Sequence, residues 1–102
     1  MLLKTLIKNL PIEKKRIKVR GLATNSKKVK KDYIFFAIKG DQFNGEKFIN
    51  EAINNGASVI ICSKKCKYSN KSIFILKTSN IRYLLSEISS KYYKLKPKNI
   101  IA

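Results

Sequence analysis

Two cysteines are the side chains whose type and spacing first suggest chemistry. Cys62 and Cys66 are separated by three residues in Cys-Ser-Lys-Lys-Cys. Redox and zinc motifs place two residues between their cysteines, and a structural zinc site needs four ligands, so this pair fits neither. The chain has no His, which removes the commonest general base and the His-dependent nucleophiles. We therefore expect reduced thiols, with Cys62 buried at the end of an apolar run and Cys66 in a Lys-rich loop.

A polar stretch at residues 23–28 offers a second set of chemical groups. It reads Ala-Thr-Asn-Ser-Lys-Lys and combines hydroxyl, amide and ammonium groups. Such a stretch is most typical of turn and capping chemistry, with ligand binding as the alternative. The lysines at residues 27–31 and the group Lys64, Lys65 and Lys67 are interpreted as solvated surface, because no regular spacing of aromatic residues accompanies them.

The charge of the chain admits two interpretations. Among 102 residues there are 23 Lys plus Arg and 6 Asp plus Glu, which gives a net charge of +17. Lys, Ile and Asn use AT-rich codons, and Lys greatly outnumbers Arg, the residue whose planar fork suits nucleic acids better. An AT-rich genome is therefore favoured over a nucleic-acid-binding surface as the cause of the positive charge, and binding of an anionic ligand remains an alternative.

The hydrophobic pattern predicts alternating helices and strands. Residues 33–38 form an apolar run rich in aromatic and β-branched side chains, which is typical of a strand covered on both faces. Asn44 is placed to cap a helix at residues 45–55 that Gly56 ends. The other predicted elements are a helix at 2–10, a half-exposed strand that contains Ile17 and Val19 and can extend to Leu22, strands at 57–62 and 73–76, and a helix that begins after Ser79 or Asn80 and ends before Pro97.

This order of elements predicts the fold class. A strand, loop, helix and strand in succession favour parallel pairing with a right-handed crossover. The chain is therefore predicted to be α/β, a single three-layer domain with a mostly parallel or mixed sheet flanked by helices. Its longest apolar run is far short of a membrane span, and Lys4 and Lys8 interrupt the opening Leu-rich segment. We expect a soluble cytoplasmic protein without a membrane partner.

Several motifs in order resemble one known family. They are Gly21-Leu22-Ala23-Thr24-Asn25-Ser26-Lys27-Lys28-Val29, then Asp32 to Gly40, then Asn44-Gly45-Glu46-Lys47-Phe48-Ile49, Ala52-Ile53 and Gly56-Ala57. This succession resembles the N-terminal domain of Mur ligases, which build the stem peptide of peptidoglycan in the bacterial cell wall. The family's Asp-Ser-Arg reads Asn25-Ser26-Lys27 here and its Asp-Gly reads Asn44-Gly45, which puts a structural ion pair in doubt.

The resemblance also indicates a branch of the family. The short opening helix, the Leu-Ser-Glu-Ile helix and the final Asn99-Ile100-Ile101-Ala102 look most like the MurE type, which adds the third amino acid to UDP-N-acetylmuramoyl-L-alanyl-D-glutamate. The MurF type, which adds a terminal dipeptide, is the alternative within the family. A standalone basic module that binds RNA or another polyanion is the alternative outside it.

The resemblance implies a set of site residues. Ser26 is expected to hydrogen-bond the UDP part of the substrate, with Thr24 in the same pocket and Asp41, Gln42 and Phe43 in a loop that meets the nucleotide. A hydroxyl suits a diphosphate or ribose, the Gln42 amide can serve a uracil edge, and Phe43 offers a flat face. Phe43 has the alternative of packing as a hydrophobic staple on the helix that follows.

The resemblance also implies a division of labour within a longer ligase. Residues 1–98 are expected to form the domain that binds the UDP substrate, and residues 99–102 to begin a strand that leads to the ATP-binding central domain. No catalytic or metal-binding residue and no cofactor are expected in this chain. ATP and magnesium are implied for the full-length ligase, with its central and C-terminal domains as partners, so these 102 residues alone are expected to be catalytically inert.

Overall fold

Helices and strands alternate along the chain in the computed structural model, which describes residues 1–40, 42 and 44–95. The strands are β1 (Gly21–Ala23), β2 (Tyr33–Ala37), β3 (Val59–Ser63) and β4 (Phe74–Thr78). The α-helices are α1 (Leu3–Leu6), α2 (Ile49–Asn54) and α3 (Ile81–Leu95), and 3₁₀ turns lie at Ile12–Lys14, Ser26–Lys28 and Gly45–Phe48.

The four described strands form one sheet in the order β1-β2-β3-β4, and every pair is parallel. Val59 of β3 lies opposite Ile34 of β2 on one side and Phe74 of β4 on the other. The parallel sheet confirms the predicted fold class, and of the two sheet types predicted, the described strands form the parallel one. Each parallel connection requires a crossover, which the helices and turns between the strands provide.

Alternating side chains of the strands form two separate cores. Phe35 of β2 and Ile60 of β3 face the layer that contains α2, whereas Phe36 and Ile61 face the layer that contains α1 and α3. This alternation follows from the two-residue period of a strand. The sheet is thus covered on both faces, which confirms the predicted three layers.

The first helix is shorter than the predicted one. The α1 helix ends at Leu6, and Ile7 is already extended, with φ −128° and ψ 132°. The amide of Leu3 donates to the carbonyl of Ile17 (2.8 Å), and the amide of Val19 donates to the carbonyl of Met1 (2.7 Å). Of the predicted half-exposed strand, the part around Ile17 and Val19 therefore lies outside the sheet and hydrogen-bonds the N-terminal residues, whereas Leu22 lies in β1.

The signals at the ends of helices are confirmed. The Asn44 side chain accepts from the amide of Glu46 (3.0 Å), and the Asn80 side chain accepts from the amide of Tyr83 at the start of α3 (3.0 Å). Gly56 follows α2 with φ 118°, a conformation that L side chains rarely adopt. The predicted helix at 45–55 differs in one respect, because its first turn is 3₁₀ and only Ile49–Asn54 is α-helical.

Two expectations concern residues near the end of the chain. The predicted helix stop before Pro97 and the strand at 99–102 lie outside the described residues.

Within residues 1–40, 42 and 44–95, no helix combines the length and apolar character needed to cross a bilayer.

Candidate functional site

The two predicted groups of site residues follow neighbouring strands. Thr24, Asn25 and Ser26 come directly after β1, and the loop that contains Gln42 comes after β2. Because β1 and β2 are parallel, their carboxyl ends lie at the same edge of the sheet. Ligands of open parallel sheets bind outside this edge.

The residues after β1 form a 3₁₀ turn with its own cap. The Asn25 side chain accepts from the amide of Lys27 (2.9 Å), and its carbonyl accepts from the amide of Lys28 (2.9 Å). The amide oxygen of Asn25 therefore provides the cap acceptor at the position where the family has Asp. The predicted capping chemistry is present, and it fixes the direction in which the lysines leave the turn.

Ser26 anchors this turn to α2. Its side chain is 3% exposed, and its hydroxyl donates to a carboxylate oxygen of Glu51. The Asn55 side chain donates to the Ser26 carbonyl (2.9 Å). Ser26 thus has partners on α2 and immediately after it, and the turn cannot shift without breaking both bonds.

A basic cavity of about 580 Å³ lies beside the turn. Thr24, Lys27, Lys28 and Lys30 line it, together with Tyr33, and no acidic side chain is among the described residues around it. Lysines provide charge-assisted hydrogen bonds to phosphate oxygens, so the cavity suits an anion. The lysines are exposed, as expected for solvated side chains, but three of the 27–31 group also share this cavity.

A second cavity of about 170 Å³ adjoins the first. It is lined by Asn25, Ser26, Lys27 and Phe48, so Asn25 and Lys27 are common to both cavities. Phe48 provides an aromatic side chain at the end of the 3₁₀ turn that precedes α2. One elongated ligand could therefore contact the lysines with one end and Phe48 with the other.

Of the three residues predicted in the loop after β2, the structure describes only Gln42. Gln42 is exposed and lines neither of the two cavities, whereas Asp41 and Phe43 lie outside the described residues. The structure brings Thr24 and Ser26 together with the lysines of the 27–31 group. It leaves Gln42 on the neighbouring loop.

Four residues of the site were missed by the sequence reasoning. Tyr33 was predicted only as part of the strand at 33–38 and Phe48 only as part of the helix at 45–55, and both are half-buried while also lining a cavity. Glu51 and Asn55 were not singled out, although their spacing of four residues places them on one face of a helix. That spacing was the available signal, but nothing in it indicates that the partner is Ser26.

The glycine spacing after β2 does not make a site for ATP phosphates. Gly40 and Gly45 are five positions apart, as in a phosphate-binding loop, but Glu46 occupies the position of the required Lys. A Cβ on Gly45 would lie 2.8 Å from the backbone of Ile38, so this backbone packs against β2. Within the described residues, no group of three His, Cys, Asp or Glu side chains could hold a metal ion. The described residues therefore do not fit ATP with magnesium.

The two thiols are structural. Cys62 and Cys66 are both buried and free, so Cys66 packs in the core although it follows a Lys pair. Burial, followed by the neighbouring Cys66 side chain, raises the pKa of Cys62 to about 12. Since the thiolate is the reactive form, Cys62 is inert at neutral pH.

The fold and the site define an α/β domain whose parallel sheet carries a lysine-lined cavity at the carboxyl end of an edge strand. Comparison with known proteins places it in a family. The Mur ligase family, catalytic domain, matches residues 18–93, and the chain belongs to the Mur ligase family. The resemblance found in the motifs is thereby confirmed.

Curated relatives favour the MurE type. The chain is 42% identical over 89 residues to the UDP-N-acetylmuramoyl-L-alanyl-D-glutamate--2,6-diaminopimelate ligase of Rickettsia prowazekii (strain Madrid E), covering 86% of the chain and 18% of the relative. It is 34% identical over 98 residues to ligase 2 of that name from Clostridium acetobutylicum, covering 92% of the chain and 20% of the relative. The chain thus spans about a fifth of the length of these relatives.

Solved structures share the fold. The MurF ligase from Thermotoga maritima in complex with ADP superimposes with a TM-score of 0.61 and 32% identity, over 74% of this chain and 17% of that one. MurF from Acinetobacter baumannii superimposes with a TM-score of 0.60 at 21% identity, over 74% of this chain and 16% of that one, which shows the fold alone. Together the comparisons support the MurE type better than the MurF type.

Proposed function

We propose that this chain is the substrate-binding domain of a MurE-type ligase and binds the UDP part of UDP-N-acetylmuramoyl-L-alanyl-D-glutamate. The observation that carries the proposal is the position of the family motif: Thr24, Asn25 and Lys27 line a basic cavity at the end of β1. Curated relatives of the chain are named for their action on that substrate.

The two cavities suggest how the nucleotide lies. The diphosphate carries the negative charge of UDP and is placed in the large cavity, against the ammonium groups of Lys27, Lys28 and Lys30. The uridine is placed in the small cavity, where Phe48 offers a face and Ser26 a polar group. Gln42, Asp41 and Phe43 remain proposed contacts from the neighbouring loop.

The remaining parts of the reaction are assigned outside the described residues. In this proposal residues 1–98 are the UDP-binding domain and 99–102 begin the strand to an ATP-binding domain. ATP, magnesium and the incoming amino acid belong to the ligase's other domains, and the ligase acts in the cytoplasm. The chain by itself binds substrate and catalyses no reaction.

Calorimetric titration of the chain with the UDP-muramoyl dipeptide tests the proposal. The double variant Lys28→Ala/Lys30→Ala loses two charged partners of the diphosphate, so its affinity is expected to fall by about tenfold or more. The control is Lys4→Ala/Lys8→Ala, which removes the same charge from exposed positions in and beside α1, across the sheet. Equal losses in both variants, or no binding by the unaltered chain, would contradict the proposal.

A polyanion-binding module is the second candidate, and the net charge of +17 favours it. It predicts RNA binding whose affinity falls steeply with salt. Ser26→Ala would leave such binding unchanged, because Ser26 is buried and contributes no charge. RNA binding without dipeptide binding would select this candidate.

A further inference from the structure

Whether the Ser26 hydroxyl donates or accepts a hydrogen bond determines which part of a nucleotide it can contact. A serine hydroxyl has one proton to donate and two lone pairs that accept. In this structure the proton is donated to Glu51. A ligand group at Ser26 must therefore donate a hydrogen bond, because only the lone pairs remain.

Phosphate oxygens do not meet this requirement. Ionised phosphate oxygens accept hydrogen bonds and have no proton to give. The Glu51 carboxylate is hydrogen-bonded to the Ser26 oxygen, so its negative charge would also repel them. The ribose hydroxyls and the imide N–H of uracil are the donors of a uridine nucleotide, and both are uncharged.

We propose that Glu51 is a positioning residue that makes Ser26 a hydrogen-bond acceptor for the uridine and excludes the diphosphate from the small cavity. The proposal rests on the proposed function and deepens it, since it assigns the two ends of one ligand to the two cavities. Glu51 acts through Ser26 and itself touches no ligand. Asn55 donates a hydrogen bond to the Ser26 carbonyl and keeps the turn in place, while Glu51 determines that the Ser26 hydroxyl accepts from the ligand.

The test compares three probes, uridine, UDP and inorganic pyrophosphate, titrated into the unaltered chain and its variants. In Glu51→Ala the Ser26 proton is released and the negative charge is removed. Uridine and UDP are expected to bind about fivefold to tenfold more weakly, whereas pyrophosphate binds as well as before or better. In Glu51→Gln the side-chain carbonyl again accepts from Ser26, so uridine affinity is expected to return to within about twofold of the unaltered chain.

The matched control is the second Ser–Glu pair of the chain. Ser63 donates to Glu46 (3.1 Å), and neither residue lines the two cavities. Glu46→Ala removes the same charge and the same kind of hydrogen bond, so it is expected to leave the ratio of uridine to pyrophosphate affinity unchanged. The dispersion of amide signals in NMR spectra confirms that each variant is folded.

The outcomes distinguish the role of Glu51 from the proposed binding of UDP. If Glu51 only stabilised the fold, Glu51→Ala would lower the affinities for uridine and pyrophosphate by the same factor. That result overturns the inference and leaves the proposed UDP binding in place. The inference is also overturned if Ser26→Ala lowers the affinity for pyrophosphate as much as the affinity for uridine. No binding of UDP by the unaltered chain overturns the proposed function, and the inference with it.

Discussion

The chain contains two serine–glutamate hydrogen bonds that are alike in chemistry and different in place. The first, here called the turn anchor, joins Ser26 after β1 to Glu51 of α2, with Asn55 as a further donor to the turn. The second, the strand pair, joins Ser63 at the end of β3 to Glu46. Ser26 is 3% exposed, whereas Ser63 is half-buried.

The difference lies in what each pair holds in position. The turn anchor holds residues that line two cavities, and its serine lines one of them. The strand pair links the end of β3, beside the buried Cys62, to the 3₁₀ turn before α2. The same hydrogen bond therefore holds the wall of two cavities in one region and links two packed elements in the other, and only the surroundings distinguish them.

The strongest way to break the turn anchor is to disturb the end of α2. Gly56 has φ 118°, and a Cβ there would lie 2.7 Å from the Cα of Lys31. Gly56→Ala is expected to lower the free energy of unfolding by about 3 kcal/mol, because it adds both backbone strain and a clash. Urea denaturation measures this loss.

The control for Gly56→Ala is Asn54→Ala, an exposed change at the last residue of α2. It is expected to alter stability by less than about 0.5 kcal/mol. A Gly56→Ala chain as stable as this control would show that the junction relaxes, and the anchor would then not depend on it.

Removing each serine hydroxyl compares the two pairs directly. Ser26→Ala leaves Glu51 without its donor next to a buried position, so a loss of about 2 kcal/mol is expected. Ser63→Ala breaks a bond that water can replace more readily, and about 0.5–1 kcal/mol is expected. Denaturant midpoints at constant m-value check the order, and equal losses would contradict the difference in burial on which it rests.

A further expected effect, smaller than that of Ser26→Ala, is a pH dependence in the region of the strand pair. The folded-state pKa of Cys62 is raised from 9.0 to about 12, chiefly by burial, so the unfolded chain releases this proton first. Between these values the unfolded state binds fewer protons, and stability falls as pH rises, by at most about 1.4 kcal/mol per pH unit. Below pH 9 the contribution is fully present.

Urea denaturation of the unaltered chain and of Cys62→Ala at about pH 8 and about pH 10 isolates this effect. The variant is expected to be less stable at both values, because it leaves a cavity, but to lose less stability between them. Parallel curves would show that Cys62 is accessible to water in the folded chain.

Local signals in the sequence predicted much of the fold. The apolar run at 33–38 contains β2, the Asn44 and Asn80 side chains cap where expected, and Gly56 ends α2. Two predictions failed, the helix to residue 10 and the strand around Ile17 and Val19. The helix ends early because Ile7 is extended and Asn9 has φ 60°. Hydrogen bonds between residues 1–4 and 15–19 hold the second segment outside the sheet, and no local pattern reveals them.

The candidate site was predictable only in part. The motif around Ser26 located the turn, and the lysines beside it were visible as charges. That the turn lines a cavity depends on the tertiary arrangement at the edge of the sheet where β1 and β2 end.

By itself, the sequence determined β2, β3 and β4, the caps, the α/β class and the family to which the chain belongs. These depend on side-chain periodicity, on backbone preferences of single residues, and on short motifs. Only the tertiary structure decided the role of the Ser26 hydroxyl, because its partner Glu51 lies 25 residues away in the chain. A hydroxyl can donate or accept, and the choice is made by the group that the fold brings against it.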